Sequence, residues 1–368
     1  MMQKKAWFSK IALAALLLAA AGWGGWVFMS HSEQVSHQDS DGKPETASVY
    51  QNPVFGPTFA DPTILKAGDG YYYAYATQED WYDGNGTHLV PVIRSKDLAA
   101  WEYVRDAFDR KPAWRPDSFG IWAPDISYHK DGKYYLYYSL SEWGNLADPG
   151  VGVAVSDRPE GPFKDQGMIL DTAGSGVGNS IDPQYVEDDD GKPYLIWGSF
   201  HGIYGIPLSE DGLKAVGEKF PIAGPDFEAP YIVKRDGYYY FFGSTGTCCE
   251  GENSSYAVAV GRAESLRGPY LDKEGKDLLH SSGSLLLVGS NLWEENGTFA
   301  GPGHNSLVTD EQGEDWIVYH AIDIKKPYND NGGTVRPLMV DRIKWKDGWP
   351  EVAGMVPSQT PQALKTKK

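Results

Sequence analysis

From about residue 52 onward, short runs of apolar residues are broken every few positions by Gly, Asp, Asn or Pro. No run keeps a helical period, and Val, Ile, Tyr, Trp and Phe carry them, which predicts β-strands joined by tight turns. Five stretches share one plan: "FADPTILKAGDGYYYAYAT" with Asp61, "WAPDISYHKDGKYYLYYS" with Asp125, "SIDPQYVEDDDGKPYLIWGS" with Asp182, "FEAPYIVKRDGYYYFFGS" with Glu228, and "GPGHNSLVTDEQGEDWIVYHA" with His304. Each goes from a polar residue into a short β-rich segment, turns at an acidic-glycine pair or its equivalent, and returns through a second apolar run. Such a turn between two such runs predicts a hairpin.

The copies recur every 45 to 75 residues or so, the size of a four-stranded blade, and predict an all-β, five-bladed β-propeller. The first strand of each blade would line the axis. Asp61, Asp125, Asp182, Glu228 and His304, far apart in sequence, would then converge at one end of one channel. That gives Glu228 a reason to stand before Pro230, Tyr231 and Ile232, poor company for a carboxylate in an ordinary strand.

Carboxylates crowded in a partly dry cleft cannot all ionise independently. One kept protonated can serve as a general acid, and one left ionised can act as a base on water. Two such groups flanking a sugar linkage are what glycoside hydrolysis requires. Trp122 and Trp143 offer faces on which sugar rings could stack. A lone Asp at a strand end usually caps a turn, but four carboxylates at matching repeat positions favour function. Asp188, Asp189 and Asp190 lie in a hairpin turn without EF-hand spacing and read as a solvated turn. His304, beside Asn305, reads either as a hydrogen-bonded structural histidine or as one ligand of an ion otherwise held by water.

Charge and the termini narrow the partners. A net charge of -17 over 368 residues argues against nucleic acid or an anionic membrane surface. Lys4, Lys5 and Lys10 precede an uncharged run over residues 11–29, with Ala19-Ala20-Ala21 as a small-residue cleavage site. Residues 1–29 therefore read as a signal peptide, giving a secreted or periplasmic protein. The run is also long enough to serve as an uncleaved anchor on the outer face of the cytoplasmic membrane. Residues 30–50 read as a polar linker, 51–355 as the propeller catalytic domain and 356–368 as a polar C-terminal tail. Cys248 and Cys249, adjacent in sequence, cannot staple distant segments and match no zinc spacing; they read as two small residues in a packed loop.

"ADPT", "WAPD", "SIDP", "FEAP" and "GPGHN", in this order, resemble glycoside hydrolase family 43. The loop "GSTGTCCEGENSSYAVAVGRAESLRGPYLDKEGKDLL" and the terminal "RPLMVDRIKWKDGWP" are similar to its arabinan endo-1,5-α-L-arabinanases, over about residues 52–355. The resemblance implies a five-bladed propeller that hydrolyses α-1,5-linked L-arabinofuranose chains with inversion, with arabinan or arabino-oligosaccharide as substrate. It implies Asp61 as general base, Glu228 as general acid, and Asp182 as the group that raises the pKa of Glu228 and orients it. It further implies a substrate subsite of Asp61, Trp122, Asp125, Gly144, Asn179, Ser180, Ile181, Asp182, Ser199, Phe200 and His201, and a central calcium held by His304 through a shell of waters. The span from Asp182 to Glu228 is shorter than the family pattern, which implies a trimmed loop and bears on endo against exo action. Other specificities of the family (exo-arabinanase, α-L-arabinofuranosidase, β-xylosidase) and a non-catalytic glycan-binding propeller are the competing readings.

Overall fold

The computed structural model describes residues 49–146 and 148–364, and two further strands, Val35–Gln38 and Pro44–Ala47, that pair with each other. The signal or anchor expected over residues 1–29 lies outside the described residues. Five four-stranded antiparallel sheets follow one another along the chain. The first blade has strands Thr63–Lys66, Tyr72–Tyr75, Pro91–Ser95 and Glu102–Asp106. The second has Gly120–Tyr128, Tyr134–Ser141, Gly150–Ser156 and Lys164–Asp171. The third has Gln184–Glu187, Pro193–Trp197, Ile203–Pro207 and Phe220–Ala223. The fourth has Glu228–Arg235, Tyr238–Thr245, Ala257–Ala263 and Ser284–Leu287. The fifth has Phe299–Thr309, Asp315–Asp323, Leu338–Lys346 and Trp349–Glu351. This is the five-bladed β-propeller that the repeats predict.

The aromatic runs make physical sense once both faces of a blade are covered. In the second strand of the first blade, Tyr73 and Tyr75 face the second blade, whereas Tyr72 and Ala74 face the fifth. In the fourth blade Tyr239 and Phe241 pack toward the third, and Tyr240 and Phe242 toward the fifth. A strand buried on both faces reads as continuously apolar rather than alternating. Five large apolar clusters fill the five blade interfaces. Each fully buried large side chain there contributes about 1.5–3 kcal/mol.

The turns behave as their residues require. Asp236 and Gly237 have φ of 48° and 84°, the two positive values of a type I′ hairpin turn. Acidic turn residues also reach back to the returning strand. Asp69 accepts from Tyr73 Oη, Asp131 from Tyr135 Oη, Asp188 from Tyr194 Oη and Asp310 from Trp316 Nε1. The Asp188–Asp190 run is indeed a turn, with Asp188 Oδ1 accepting from the amides of Asp190 and Lys192.

The segment expected as a polar C-terminal tail packs on the propeller over its described residues. Gln362–Ala363 pairs with Val49–Tyr50, and Val356 and Leu364 are buried. Asn52 ties this seam to the fifth blade: its Nδ2 donates to Val340 O (2.9 Å), Asp341 Oδ2 (3.2 Å) and Ser358 Oγ (3.0 Å), and its Oδ1 accepts from Val340 N (2.9 Å). Residues on both sides of the 51–355 boundary thus join in closing the ring. Replacing Asn52 with Ala leaves the buried Val340 amide and Asp341 carboxyl short of partners, and is expected to cost about 2 kcal/mol in a urea unfolding series.

Candidate active site

The site is built on a backbone irregularity that each first strand repeats. Asp61, Ala123, Asp182, Ala229 and His304 all have positive φ, between 44° and 59°. The left-handed region is unfavourable for alanine and tolerable for aspartate. In four of the five, proline follows: Pro62, Pro124, Pro183 and Pro230. The recurring "DP" and "AP" pairs are therefore left-handed residues at the head of an axial strand. Bulges follow in register, between Trp122 and Asp125 and between Glu228 and Tyr231.

Their equivalence corrects one expectation. Asp61, Asp182 and His304 are matching positions, but Asp125 lies two residues after Ala123, and Glu228 one residue before Ala229. Asp125 points into the ring of blades instead of the open cleft. Its Oδ1 accepts from Thr63 Oγ1 at 3.3 Å and its Oδ2 from Tyr185 N at 2.8 Å, joining the first three blades. Burial raises its carboxyl to about 7, against the pull of those two donors. Asp125 is a buried strut.

A backbone amide in a left-handed bend points away from its own sheet, and the neighbouring blade supplies the acceptor. Thr77 Oγ1 accepts from Ala123 N (2.9 Å), Ser139 Oγ from Asp182 N (3.0 Å) and Ser244 Oγ from His304 N (2.8 Å). His320 Nδ1 accepts from Asp61 N (3.1 Å) and closes the ring. At the remaining junction the acceptor is a carboxylate: Asp182 Oδ2 takes Ala229 N at 3.1 Å. That exchange leaves Ser199, at the end of its own blade's second strand, for another task. Ser199 Oγ accepts from Asn179 Nδ2 (2.9 Å) and donates to Glu228 Oε2 (2.8 Å), while Tyr256 Oη donates to Glu228 Oε1 (2.6 Å).

The charges divide sharply. Asp61 is buried, which alone would raise its carboxyl, but Arg336 at 3.1 Å, His304 at 3.3 Å, His320 at 3.4 Å and Thr77 at 2.5 Å more than offset this and hold it low. Burial pushes both histidines below their ordinary range, so Arg336 is the cation that persists at neutral pH. Asp182 is raised well above the carboxylate range by burial and then by Glu228 and Asp61. Glu228 is raised by burial and by Asp61, against the donors Tyr256 and Ser199. One carboxylate is thus held ionised beside two that are pushed toward the protonated form.

The span of these five blades coincides with a known family model. The Glycosyl hydrolases family 43 model matches residues 50–350. The chain belongs to glycoside hydrolase family 43. It is 33% identical to an extracellular endo-α-(1→5)-L-arabinanase of Bacillus subtilis, over 95% of this chain and 99% of that one. It is equally 33% identical to an extracellular exo-α-(1→5)-L-arabinofuranosidase of Cellvibrio japonicus, over 79% and 85%. Among solved structures, a Cellvibrio cellulosa α-L-arabinanase complexed with arabinohexaose superposes with TM-score 0.70 and 31% identity, covering 81% of this chain and 96% of that one. The endo-arabinanase of Bacillus licheniformis gives 0.68 and 35%, covering 81% and 98%.

Within this family 43 site, the other expected residues fall into three groups. Trp122, exposed Trp143 (77% accessible), Gly144, Phe200 and His201 stand at accessible or half-buried places, with the two tryptophan rings 6.2 Å apart. Asn179 and Ser199 act through Glu228, as above. Ser180 and Ile181 are buried, contrary to their expected role as sugar contacts. Ser180 Oγ is used by Val177 O, Ser175 and Trp197 Nε1, so it braces the loop that carries Asn179.

Thr77, Tyr256, His320 and Arg336 were not foreseen. The strand-end hydroxyls had a signal, since the polar ends of "YYAYAT", "YYLYYS" and "YYYFFGS" recur like the first-strand motifs. Arg336 stands in "RPLMVDR" with no repeat to mark it. Cys248 and Cys249, expected as two small residues in a packed loop, form a disulfide in the loop that follows the second strand of the fourth blade. Thr334 Oγ1 donates to Cys249 O at 2.9 Å, joining that loop to the fifth blade.

Removing the Arg336 charge takes away the partner that favours ionised Asp61. Replacing Arg336 with Met is expected to move the acidic limb of the pH–activity profile upward by about 1–3 pH units, because Asp61 then holds its proton to higher pH. A profile of kcat/KM against pH checks it.

Proposed function

We propose that this protein is an exported, inverting hydrolase that cuts α-1,5-linked L-arabinofuranose chains internally. The observation that carries this reading is the division of the three carboxyls: Asp61 held ionised by Arg336, with Asp182 and Glu228 raised beside it. Glu228 is the general acid that protonates the departing glycosidic oxygen. Asp61 is the general base that receives a proton from the attacking water. A carboxylate held this low is a weak base toward free water. The attacking water, however, becomes acidic as its oxygen bonds to the oxocarbenium-like carbon, so transfer to Asp61 comes late in the step. Asp182, by accepting Ala229 N, fixes the backbone next to Glu228 and so orients the acid.

The curated relatives carry both endo and exo names at equal identity. Endo action is favoured by the third blade, whose strands Pro193–Trp197 and Ile203–Pro207 are joined by residues 198–202 alone, with no long loop to cap the cleft. The aromatic faces of Trp122, Trp143 and Phe200 suit furanose rings running across it. Export follows from residues 1–29 and from the extracellular names of the relatives; retention of that segment would make it a membrane anchor.

Calcium fits the axis. A cavity of about 20 Å³, room for one water or ion, is lined by Asp125, Asp182, His304 and Asn305 among others. Both side-chain polar atoms of Asn305 are buried without a hydrogen-bond partner. A hard cation takes carbonyl, carboxylate and water oxygens, and Asn305, Asp125 and Asp182 offer the first two there. Bound calcium would supply fixed positive charge beneath the carboxylates, with His304 and Asn305 as the residues to hold it.

Debranched linear arabinan is expected to yield a ladder of oligosaccharides at early times. Arabinose alone from the start would favour the exo reading, and binding without products a lectin. Asp61→Asn and Glu228→Gln are each expected to lower kcat about a hundred- to ten-thousand-fold with folding intact. Chelation is expected to lower the melting temperature as well as activity, and added calcium to restore both; indifference to chelator would leave His304 as a structural histidine.

A further inference from the structure

The general acid is held on both oxygens, and the two holds differ in kind. Ser199, on Oε2, is set by Asn179, a residue of the cleft wall. Tyr256, on Oε1, belongs to the core: it is 1% exposed, and its ring lies parallel to that of His320, with centroids 5.8 Å apart and 12° between planes. His320 is itself fully buried and accepts the amide of Asp61. Acid and base therefore meet the same pair of stacked rings, one by a side-chain hydrogen bond and the other by its backbone.

The floor beneath this pair explains a glycine. A Cβ at Gly303 would stand 2.1 Å from Tyr256 Cδ1, an impossible contact. Gly303 precedes His304, so the glycine of "GHN" is the space in which Tyr256 lies. On the other side, Tyr256 N donates to Thr247 O at 3.1 Å, which ties the tyrosine to the loop that carries the Cys248–Cys249 disulfide.

We propose that Tyr256 is a positioning residue for proton donation, holding Glu228 in place against Asp61 by its hydrogen bond to Glu228 and its stacking on His320. This rests on the assignment of Glu228 as the acid. Tyr256 occupies one lone pair of Oε1 and Ser199 one of Oε2, so the carboxyl is kept from rotating and its proton is confined to the remaining lone pairs. As Glu228 gives that proton to the leaving oxygen, negative charge appears on the carboxylate. The Tyr256 O–H already points at the place where it develops, without reorganisation.

The test is Tyr256→Phe, which keeps the ring and its stacking, on two substrates. A linear arabino-oligosaccharide leaves as a sugar alkoxide and needs the acid; a 4-nitrophenyl arabino-oligosaccharide leaves as a stable phenolate and needs it little. The variant is expected to lose about 10–100-fold in kcat on the first and less than about threefold on the second. Its alkaline limb should move to higher pH, because losing a donor to the carboxylate favours the protonated acid. Thermal unfolding should stay close to that of the parent protein. Gly303→Ala, which displaces the ring, is expected to give the same split between substrates.

Equal losses on both substrates, or an alkaline limb that does not move, would overturn the proposal. Glu228→Ala, run alongside, separates the two levels of inference. If it shows no split between substrates, the acid assignment fails; if it does and Tyr256→Phe does not, only the role of Tyr256 fails.

Discussion

Five backbone amides, turned away from their own sheets by a left-handed residue, must find acceptors on the neighbouring blade. Thr77, Ser139, Asp182, Ser244 and His320 provide them, and the ring they make is the constraint on which the site depends. An unpaired buried amide costs about 1–3 kcal/mol, so each bend persists only where its acceptor is present. The bends in turn aim Asp61, Asp182 and His304 at the axis. Where a carboxylate replaces the hydroxyl acceptor, the ring becomes a catalytic arrangement: Asp182 holds the chain next to Glu228, and Ser199 is released to bond Glu228 itself.

Electrostatics follow from the same geometry. The axis end collects three carboxyls in a buried space, yet among the described residues one persistent cation, Arg336, faces them closely, and it sits on Asp61. Burial is therefore answered for one carboxylate and left unanswered for the pair opposite. An acid and a base arise from residues of the same chemical type because their surroundings differ. Tyr256 and His320 keep the two halves at a set distance, with Gly303 providing the room.

The blade pattern was legible in the sequence because a strand covered on both faces must be apolar throughout, and a tight hairpin must have Asp-Gly or its equivalent at its tip. Those demands are local and recur, so they appear as repeats. Asp61, Asp182, Glu228 and His304 were legible through the same repeats. The repeats misled at Asp125, because the bulge between Trp122 and Asp125 sets it two residues past the bend, inside the ring of blades. Ser180 and Ile181 misled for another reason: the irregular segment before the strand Gln184–Glu187 buries both, and being next to Asp182 in sequence does not place them in the cleft.

Sequence by itself determined the five blades, their order, the two principal carboxylates and the family to which they belong. These rest on residue types that each local structure requires. Tertiary structure decided which carboxyl stays charged, which residues hold Glu228, and that residues 356–364 close the ring. Arg336 lies 275 residues from Asp61, and Tyr256 is 28 from Glu228. No local pattern marks such pairs, because their meeting depends on the closure of the ring, a property of all five blades together.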